Sequence, residues 1–148
     1  MNLRIANKAD IPTLVQFNCA MALETENKVL PEGTVLGGVT AVMEDPSKGF
    51  YLVVEDEGMV VATLLITIEW SDWRNAPMWW FQSVYVQKSH RGKGIFSLMY
   101  HYIRDLATKE GAGELRLYVD KDNTHAQKVY EKLGMEESHY YMYEVSLK

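Results

Sequence analysis

The 148-residue sequence has the size and composition of one globular domain. Its hydrophobic fraction is 47% and its charged fraction 24%, and no apolar run approaches the roughly 18 residues that a membrane span requires. Fifteen basic against twenty acidic residues give a net charge of −5, so the overall basic surface typical of nucleic-acid-binding proteins is missing. We therefore predict a single domain over residues 1–148, with no nucleic-acid and no membrane partner.

The first half of the chain begins with a strand and two helices. Residues 3–7 have a strand pattern, and Asp10 is placed to cap a helix whose first turn holds Pro12. A second helical pattern covers residues 35–43, although Gly37 and Gly38 each cost about 1 kcal/mol relative to alanine. After these elements, the spacing of the apolar residues changes at Gly49.

The rest of the chain alternates strands with two further helices. The apolar spacing changes from period 2 to the helical period after residue 94 and again after residue 122. The whole order, βααβββαβαβ, predicts an α+β fold (an α/β mixed sheet), with helices on both faces of a central twisted sheet. The predicted elements are two strands within 49–70 joined by a turn at 56–58, then a strand at 78–87, a helix at 94–109, a strand at 114–119, a helix at 123–133 and a final strand at 139–147.

Cysteine and histidine usage restricts the chemistry. Cys19 is the only cysteine, which excludes intrachain disulfides and favours a reducing compartment. The first ten residues lack the basic and apolar segments of a secretory signal, so we expect a cytoplasmic protein. The four histidines are scattered without metal-ligand spacing, and we predict no metal site.

The stretch SHRGKGIFSLM, residues 89–99, joins a strand to the start of a helix. Unpartnered N–H groups at a helix N-terminus, glycines that let the backbone approach closely, and the cations Arg91 and Lys93 favour phosphate binding. An ordinary surface turn with solvated cations is the alternative interpretation. A P-loop is excluded because Gly94 follows Lys93, and a dinucleotide fingerprint would need a third glycine where Ser97 stands.

Two segments resemble the conserved motifs of the GNAT N-acetyltransferases. VYVQKSHRGKGIF is similar to the acetyl-CoA-binding motif, in which Arg91 and Gly94 match fixed positions and Phe96 replaces the usual glycine or alanine. DNTHAQKVYEKLGM, residues 122–135, resembles the second motif of that family. The matching residues in it are Asn123, Ala126, Tyr130 and Gly134. The order of the predicted elements also fits that family, so the resemblance covers residues 3–147. It implies a GNAT-like, mostly antiparallel sheet.

The resemblance implies that acetyl-CoA is the co-substrate and assigns it a binding site. The pyrophosphate would lie on backbone N–H groups of the glycine-containing loop, and the pantetheine arm beside the preceding strand. Tyr130 and two residues near it would line the thiol end or the other flank of the cofactor. The implied cofactor-binding residues are Val84, Val86, Arg91, Gly92, Lys93, Gly94, Ile95, Phe96, Ser97, Asn123, Gln127 and Tyr130.

Acetylation of an amine needs a base and an acid. An amine with a pKa of about 10.4 must lose a proton, and the leaving thiolate must gain one. Tyr130 matches the general-acid position of the family, although it also lies on an apolar stripe and would fit a purely structural role. Related enzymes often carry glutamate where this chain has Gln82, so Glu69 is the substitute catalytic base that we predict. Glu24 and Glu26 are alternatives, and a water chain is another.

The acceptor site is predicted from an aromatic segment. EWSDWRNAPMWW, residues 69–80, contains all four tryptophans of the chain and would offer aromatic faces to a cation. We predict Glu26, Trp70, Trp73 and Gln82 as substrate-binding residues. A packed loop, or a patch that contacts another subunit, is the alternative interpretation of this segment.

The predicted function is acetyl transfer from acetyl-CoA to a primary amine of a small molecule. The alternatives are acetylation of a protein or peptide amine, and a non-catalytic CoA-binding regulatory module. A purely structural interaction domain is the third alternative. The aromatic segment HYYMYEV, residues 139–145, would pair across the boundary of a homodimer or fill the core of a monomer.

Phe96 generates the first testable prediction. Because a large side chain at the first helical turn crowds the phosphates, we expect Phe96→Gly to strengthen acetyl-CoA binding. Calorimetric titration of acetyl-CoA into both proteins measures the change. Unchanged affinity in the variant would show that the steric explanation is wrong.

Overall fold

A computed structural model describes the whole chain, residues 1–148. The chain divides into two compact units, residues 1–117 and 118–148, and each is described by itself. The prediction of a single domain therefore stays a prediction. None of the helices is both long and apolar enough to cross a membrane.

The unit of residues 1–117 is built on a five-stranded sheet with the strands in sequence order. The first four strands are antiparallel, and the fifth is parallel to the fourth. The elements are β1 (Asn2–Ile5), α1 (Ile11–Glu26), α2 (Glu32–Glu44), β2 (Phe50–Asp56), β3 (Met59–Ser71), β4 (Ala76–Val86), α3 (Ile95–Glu110) and β5 (Glu114–Arg116). The other unit contains α4 (Thr124–Lys132).

Helices cover both faces of this sheet. Val53 packs in one core cluster with residues of α1 and α2. Phe81 is in register, through β3, with Phe50, which lies three residues from Val53 along β2 and therefore faces the opposite side. On that side the ring of Tyr100, from α3, stacks on Phe81 with centroids 6.0 Å apart. The predicted mixed sheet with helices on both faces is confirmed.

β4 contains an irregularity that the sequence did not indicate. Thr63 pairs with Tyr85 but Leu65 pairs with Gln82, so β4 has one residue more than β3 in this interval. Ser83 lies inside it with a φ of 50°, a left-handed conformation that is uncommon for a residue other than glycine. We interpret this as a β-bulge, a feature that bends a strand and increases its twist.

The C-terminal strand predicted over residues 139–147 is wrong, because these residues form no strand within the unit of residues 118–148. The strand predicted over 114–119 is likewise shorter, and its ladder ends at Arg116. Strand conformation requires a neighbouring strand to satisfy its backbone groups. The alternating pattern is present in both segments, but an alternating pattern alone does not create a strand. The other nine predicted elements are confirmed in order.

A buried carboxylate joins β1 to the start of α1. Asp10 is buried, and its two oxygens accept hydrogen bonds from Arg4 Nη1 and Nη2 at 2.7 and 2.9 Å. The backbone N–H of Asn7 donates to the same carboxylate at 2.8 Å. These contacts, with those of Arg4 first, lower the pKa of Asp10 below its ordinary value.

Asp10 generates a stability prediction. Asp10→Asn leaves Arg4 without its bidentate partner, and we expect a loss of about 1–3 kcal/mol in the free energy of unfolding at pH 7. Because the pKa of Asp10 is lowered on folding, its contribution is complete above the unfolded pKa of about 3.9 and disappears as the pH falls through the folded pKa. The difference between wild type and variant should therefore shrink in strong acid.

Urea unfolding at pH 7 and at pH 3 measures that difference. Asp105→Asn, an exposed position on α3, is the control and should change little at either pH. A loss for Asp10→Asn that is the same at both pH values would contradict the assignment.

Candidate active site

The loop between β4 and α3 has the geometry of an anion site. Gly92 and Gly94 adopt φ values of 76° and 74°, which favour glycine over residues with a Cβ. A Cβ built on either glycine meets nothing within 4 Å, so the loop is open. Gly94 is the N-cap of α3, and no side chain caps the helix. The N–H groups of its first turn are therefore available to a phosphate.

The segment before the glycines is fixed to the turn between β2 and β3. His90 Nε2 lies 2.9 Å from Asp56 Oδ2, and His90 Nδ1 lies 2.8 Å from Ser89 Oγ. Asp56 is the last residue of β2, 34 positions away in the sequence. Sequence reasoning missed this contact, because a single histidine before the motif gives no indication of its distant partner.

Arg91 is held by three groups around its side chain. Its Nε donates to the carbonyl of Val86 at 2.8 Å, and its Nη2 donates to Glu24 Oε2 at 2.8 Å. The guanidinium carbon also lies 5.4 Å from the centre of the Tyr85 ring, a cation–π distance. The charge of Arg91 is thus paired with α1, and its side chain restrains the loop. The exposed Lys93 lies in the loop itself.

These contacts argue against Glu24 as the catalytic base. Its carboxylate accepts from Arg91 and lies 3.5 Å from Lys88 Nζ. The Arg91 hydrogen bond, followed by the charges of both cations, lowers the pKa of Glu24. A carboxylate with a lowered pKa takes up a proton less readily, so Glu24 is better described as a positioning residue.

Phe96 packs toward the sheet. Its ring centroid lies 6.1 Å from that of Phe81, on the α3 face. The steric effect of Phe96 on the cofactor stays a prediction, but the ring is half-buried rather than projecting into solvent. Phe96→Gly therefore removes a packing contact as well, and its thermal stability has to be measured beside its affinity.

The C-terminal half of β4 has a free edge next to the loop. β5 pairs with β4 only from Met78 to Trp80, so residues 81–86 have no strand partner on that side. The bulge at Ser83 lies inside this free section. Val84 and Val86, the predicted pantetheine contacts, both belong to it, although the carbonyl of Val86 already accepts from Arg91. An extended amide-containing chain would find backbone donors and acceptors here.

Glu69 lies in a polar cluster on the α1–α2 face. The Trp80 indole donates to Glu69 Oε1 at 2.8 Å, and Arg116 Nη1 lies 3.2 Å from Glu69 Oε2. Arg116 also pairs with Glu114 at 3.1 Å, and Arg74 bonds the same carboxylate. Both oxygens of Glu69 are thus occupied, and its role as a base stays a prediction.

The predicted acceptor residues are only partly brought together. Gln82 lies on the same face as Glu69, and its amide is 3.4 Å from Thr67 Oγ1. Trp70 and Trp73 are 62% and 93% exposed, so neither ring lines an enclosed pocket. Glu26 is exposed at the last residue of α1.

In the unit of residues 118–148, the side chains around Tyr130 have structural partners. Asn123 Oδ1 accepts from the N–H of Ala126 at 3.1 Å and so caps the start of α4. The Gln127 amide donates to the carbonyls of Asp120 and Lys121, both at 3.0 Å. Tyr130 is half-buried, and burial raises the pKa of its hydroxyl. Cofactor contacts of all three stay predictions.

Comparison with known proteins identifies the family. The family model described as acetyltransferase (GNAT) matches residues 20–135, a range that includes the glycine-containing loop and α4. The chain belongs to the GNAT acetyltransferase family. No protein with a curated function matched the sequence. In the chain there is also no group of three or more His, Cys, Asp or Glu residues that would hold a metal ion.

Solved structures share this GNAT fold over nearly their whole length. A possible acetyltransferase from Clostridium difficile 630 is 42% identical, with a TM-score of 0.93, and the match covers 99% of this chain and 97% of that one. A ribosomal-protein-alanine N-acetyltransferase from Brucella melitensis biovar Abortus 2308 is 16% identical, with a TM-score of 0.81 and coverages of 99% and 100%. AAC(6')-Iy, in complex with the bisubstrate analog CoA-S-monomethyl-acetylneamine, is 17% identical, with a TM-score of 0.78 and coverages of 98% and 97%.

The Arg91 contacts generate the prediction for this site. Because Arg91 restrains the loop through Glu24 and Val86, we expect Arg91→Ala to weaken acetyl-CoA binding about tenfold. Glu24→Gln should weaken binding a few-fold. The double variant should lose less affinity than the product of the two single losses, because both residues act through the same contact. Calorimetric titration measures all three.

The direction of the Glu24→Gln effect distinguishes two roles for Arg91. A guanidinium that contacts phosphate directly would be released by Glu24→Gln and would bind the cofactor more tightly. Stronger binding would therefore contradict the positioning role. Glu110→Gln, an exposed change at the far end of α3, is the control.

Proposed function

We propose that this GNAT protein transfers the acetyl group of acetyl-CoA to the primary amine of a small molecule, by direct attack of the amine on the thioester. The observation that carries the proposal is the uncapped, glycine-containing start of α3 beside the free edge of β4. In a chain of this family, these two neighbouring features offer an anion site for the pyrophosphate and, next to it, backbone groups for the extended pantetheine arm.

The loop residues fit a pyrophosphate. The positive-φ glycines leave the space in front of α3 open, and the exposed Lys93 adds a cation to the loop. When bound, acetyl-CoA supplies the thioester carbonyl that the amine attacks. A backbone N–H on the free section of β4 near Val84 is suited to stabilise the negative charge that develops on that oxygen.

Tyr130 is the proposed acid that returns a proton to the thiolate sulfur. Because burial raises the pKa of Tyr130, its hydroxyl stays protonated throughout the neutral range and beyond. The thiol that forms, with an ordinary pKa of about 8.5, is a stronger acid than tyrosine at about 10, so the proton transfer runs uphill and depends on close positioning of the two groups.

Glu69 is the proposed acceptor of the amine proton, with a water between them. Gln82 cannot ionise, and the pairing of Glu24 with Arg91 removes the other carboxylate near β4. Glu69 lies on the same sheet face as Gln82 and is half-exposed, which gives water access to it. Its bonds to Trp80 and Arg116 fix the carboxylate in one orientation.

A small, cationic amine is the proposed acceptor, and acetylation of a protein or peptide amine is the second candidate. The carboxylates Glu26 and Glu69 complement a cation. The exposed Trp70 and Trp73 at the end of the β3–β4 hairpin instead favour a peptide that lies across them. Since Cys19 is a free thiol, we propose the cytoplasm as the location.

The experiment that tests the function is release of CoA from acetyl-CoA in the presence of an amine panel. The panel contains small primary amines of both single and multiple charge, and peptides with free N-termini or lysines. Turnover on a small amine supports the proposal, and a preference for peptides supports the second candidate. Acetyl-CoA binding without turnover on any member would favour a regulatory CoA-binding module.

Tyr130 generates the prediction that accompanies this assay. Tyr130→Phe should lower kcat by about 10²-fold or more, with the KM for acetyl-CoA nearly unchanged, because the lost group acts on the leaving thiolate. Since the pKa of Tyr130 is raised, activity that depends on its proton should decline only above pH 10. Tyr102→Phe, on α3, is the control. Full turnover of Tyr130→Phe would remove the catalytic role.

A further inference from the structure

The contact between His90 and Asp56 lies immediately before the candidate phosphate loop. His90 Nε2 is 2.9 Å from Asp56 Oδ2, and the two side chains are 18% and 34% exposed. His90 is followed directly by Arg91 and by the first glycine of the loop. Because solvent and salt screen a partly buried pair less than an exposed one, a charge that arrives on the loop acts strongly on this contact.

Backbone contacts hold both partners against the start of β3. Asp56 ends β2, and the two residues of the turn that follows have φ values of 51° and 77°, which are typical of tight hairpin turns. On the other side, the N–H of Gln87 donates to the carbonyl of Val61 at 2.8 Å, and the N–H of His90 donates to the carbonyl of Gln87 at 2.8 Å. The ring and the carboxylate therefore meet between two segments that are themselves fixed.

The hydrogen-bond partners of the ring are compatible with two charge states of His90. An ionised carboxylate only accepts, so Nε2 carries a hydrogen toward Asp56 in both states. Nδ1 lies 2.8 Å from Ser89 Oγ, and a hydroxyl both donates and accepts. Ser89 donates to the neutral ring and accepts from the imidazolium. Protonation therefore breaks no contact, and it turns the bond to Asp56 into one between opposite charges.

The other charged groups around this contact are of both signs. They are the cations Lys88, Arg91 and Lys93 of the same segment, and the carboxylates Glu57 of the turn after β2 and Glu24 of α1. Lys88 and Arg91 both pair with Glu24, at 3.5 and 2.8 Å, which offsets their repulsion of an imidazolium. Asp56 is the carboxylate that contacts the ring itself.

We propose that His90 and Asp56 form a positioning pair that links the binding of acetyl-CoA to the uptake of a proton by His90. The pyrophosphate brings negative charge to a loop that begins two residues after His90, and this charge favours the imidazolium over the neutral ring. By reciprocity, the imidazolium favours the bound co-substrate. Acetyl-CoA should therefore bind more tightly as the pH falls from 8 to 6, within the range where histidine changes its charge.

The inference rests on the acetyl-CoA site of the proposed function, but not on the acceptor or on acetyl transfer. Calorimetric titration of acetyl-CoA in buffers of different ionisation enthalpy measures the protons taken up on binding. At pH 7, wild type should take up more protons than His90→Gln. Between pH 8 and pH 6, the affinity of wild type should rise about threefold more than that of the variant.

The difference between the two proteins is the informative quantity, because phosphate groups of the ligand also titrate near pH 6. His101→Gln makes the same chemical change at an exposed position on α3 and should behave as wild type. Proton uptake that falls equally in His101→Gln and in His90→Gln would overturn the inference, because it would not depend on the contact with Asp56.

Asp56→Asn separates the charge of the pair from its position. An asparagine oxygen still accepts from Nε2, so the ring keeps a partner but loses the opposite charge. The melting temperature at pH 8 should change little, and the rise in affinity should move to lower pH. A merely structural contact would instead change the affinity by the same factor at pH 8 and pH 6, and that result would overturn the inference.

Two further outcomes distinguish this inference from the proposed function. A wild type that does not bind acetyl-CoA at all would overturn both. Binding whose proton uptake and pH profile are unchanged in His90→Gln would overturn this inference alone, whatever the amine panel shows.

Discussion

The separation of β4 from β5 after three residue pairs is the constraint on which the candidate site depends. Before that point the backbone groups of β4 pair with a strand on each edge, and after it one edge of β4 has no strand partner. The bulge at Ser83 lies in the free section and changes the direction of the strand just before the loop. A sheet that stayed fully paired would have no backbone groups left to offer to a ligand.

The loop at the end of that strand is open but not loose. Arg91 connects it to β4 and to α1, and His90 connects it to the turn after β2. The glycines that follow need freedom of φ, which by itself would make the loop mobile. Side-chain contacts of the two residues before the glycines therefore supply the order that the glycines do not, and the N–H groups of α3 keep one direction.

Most of the fold and of the loop could be predicted from patterns that are local in the sequence. The periodicity of apolar residues, the caps and the glycines located nine elements and the turn at Gly92 and Gly94. The pairing of Glu24 with Arg91 and the bulge at Ser83 were missed, because they depend on register and on residues far apart in sequence. Residues 139–147 show the opposite error: their alternating pattern predicts a strand, but a strand exists only where another backbone pairs with it.

The contact between Glu24 and Arg91 also has a consequence for engineering this protein. The end of α1 holds Glu26, a proposed acceptor contact, and the loop is the proposed co-substrate site. Because Glu24 links the two through its ion pairs with Arg91 and Lys88, we expect a library that randomises residues 24–31 to alter the affinity for the co-substrate together with acceptor preference. Retaining Glu24 separates the two properties and lets the acceptor side diversify on an unchanged loop.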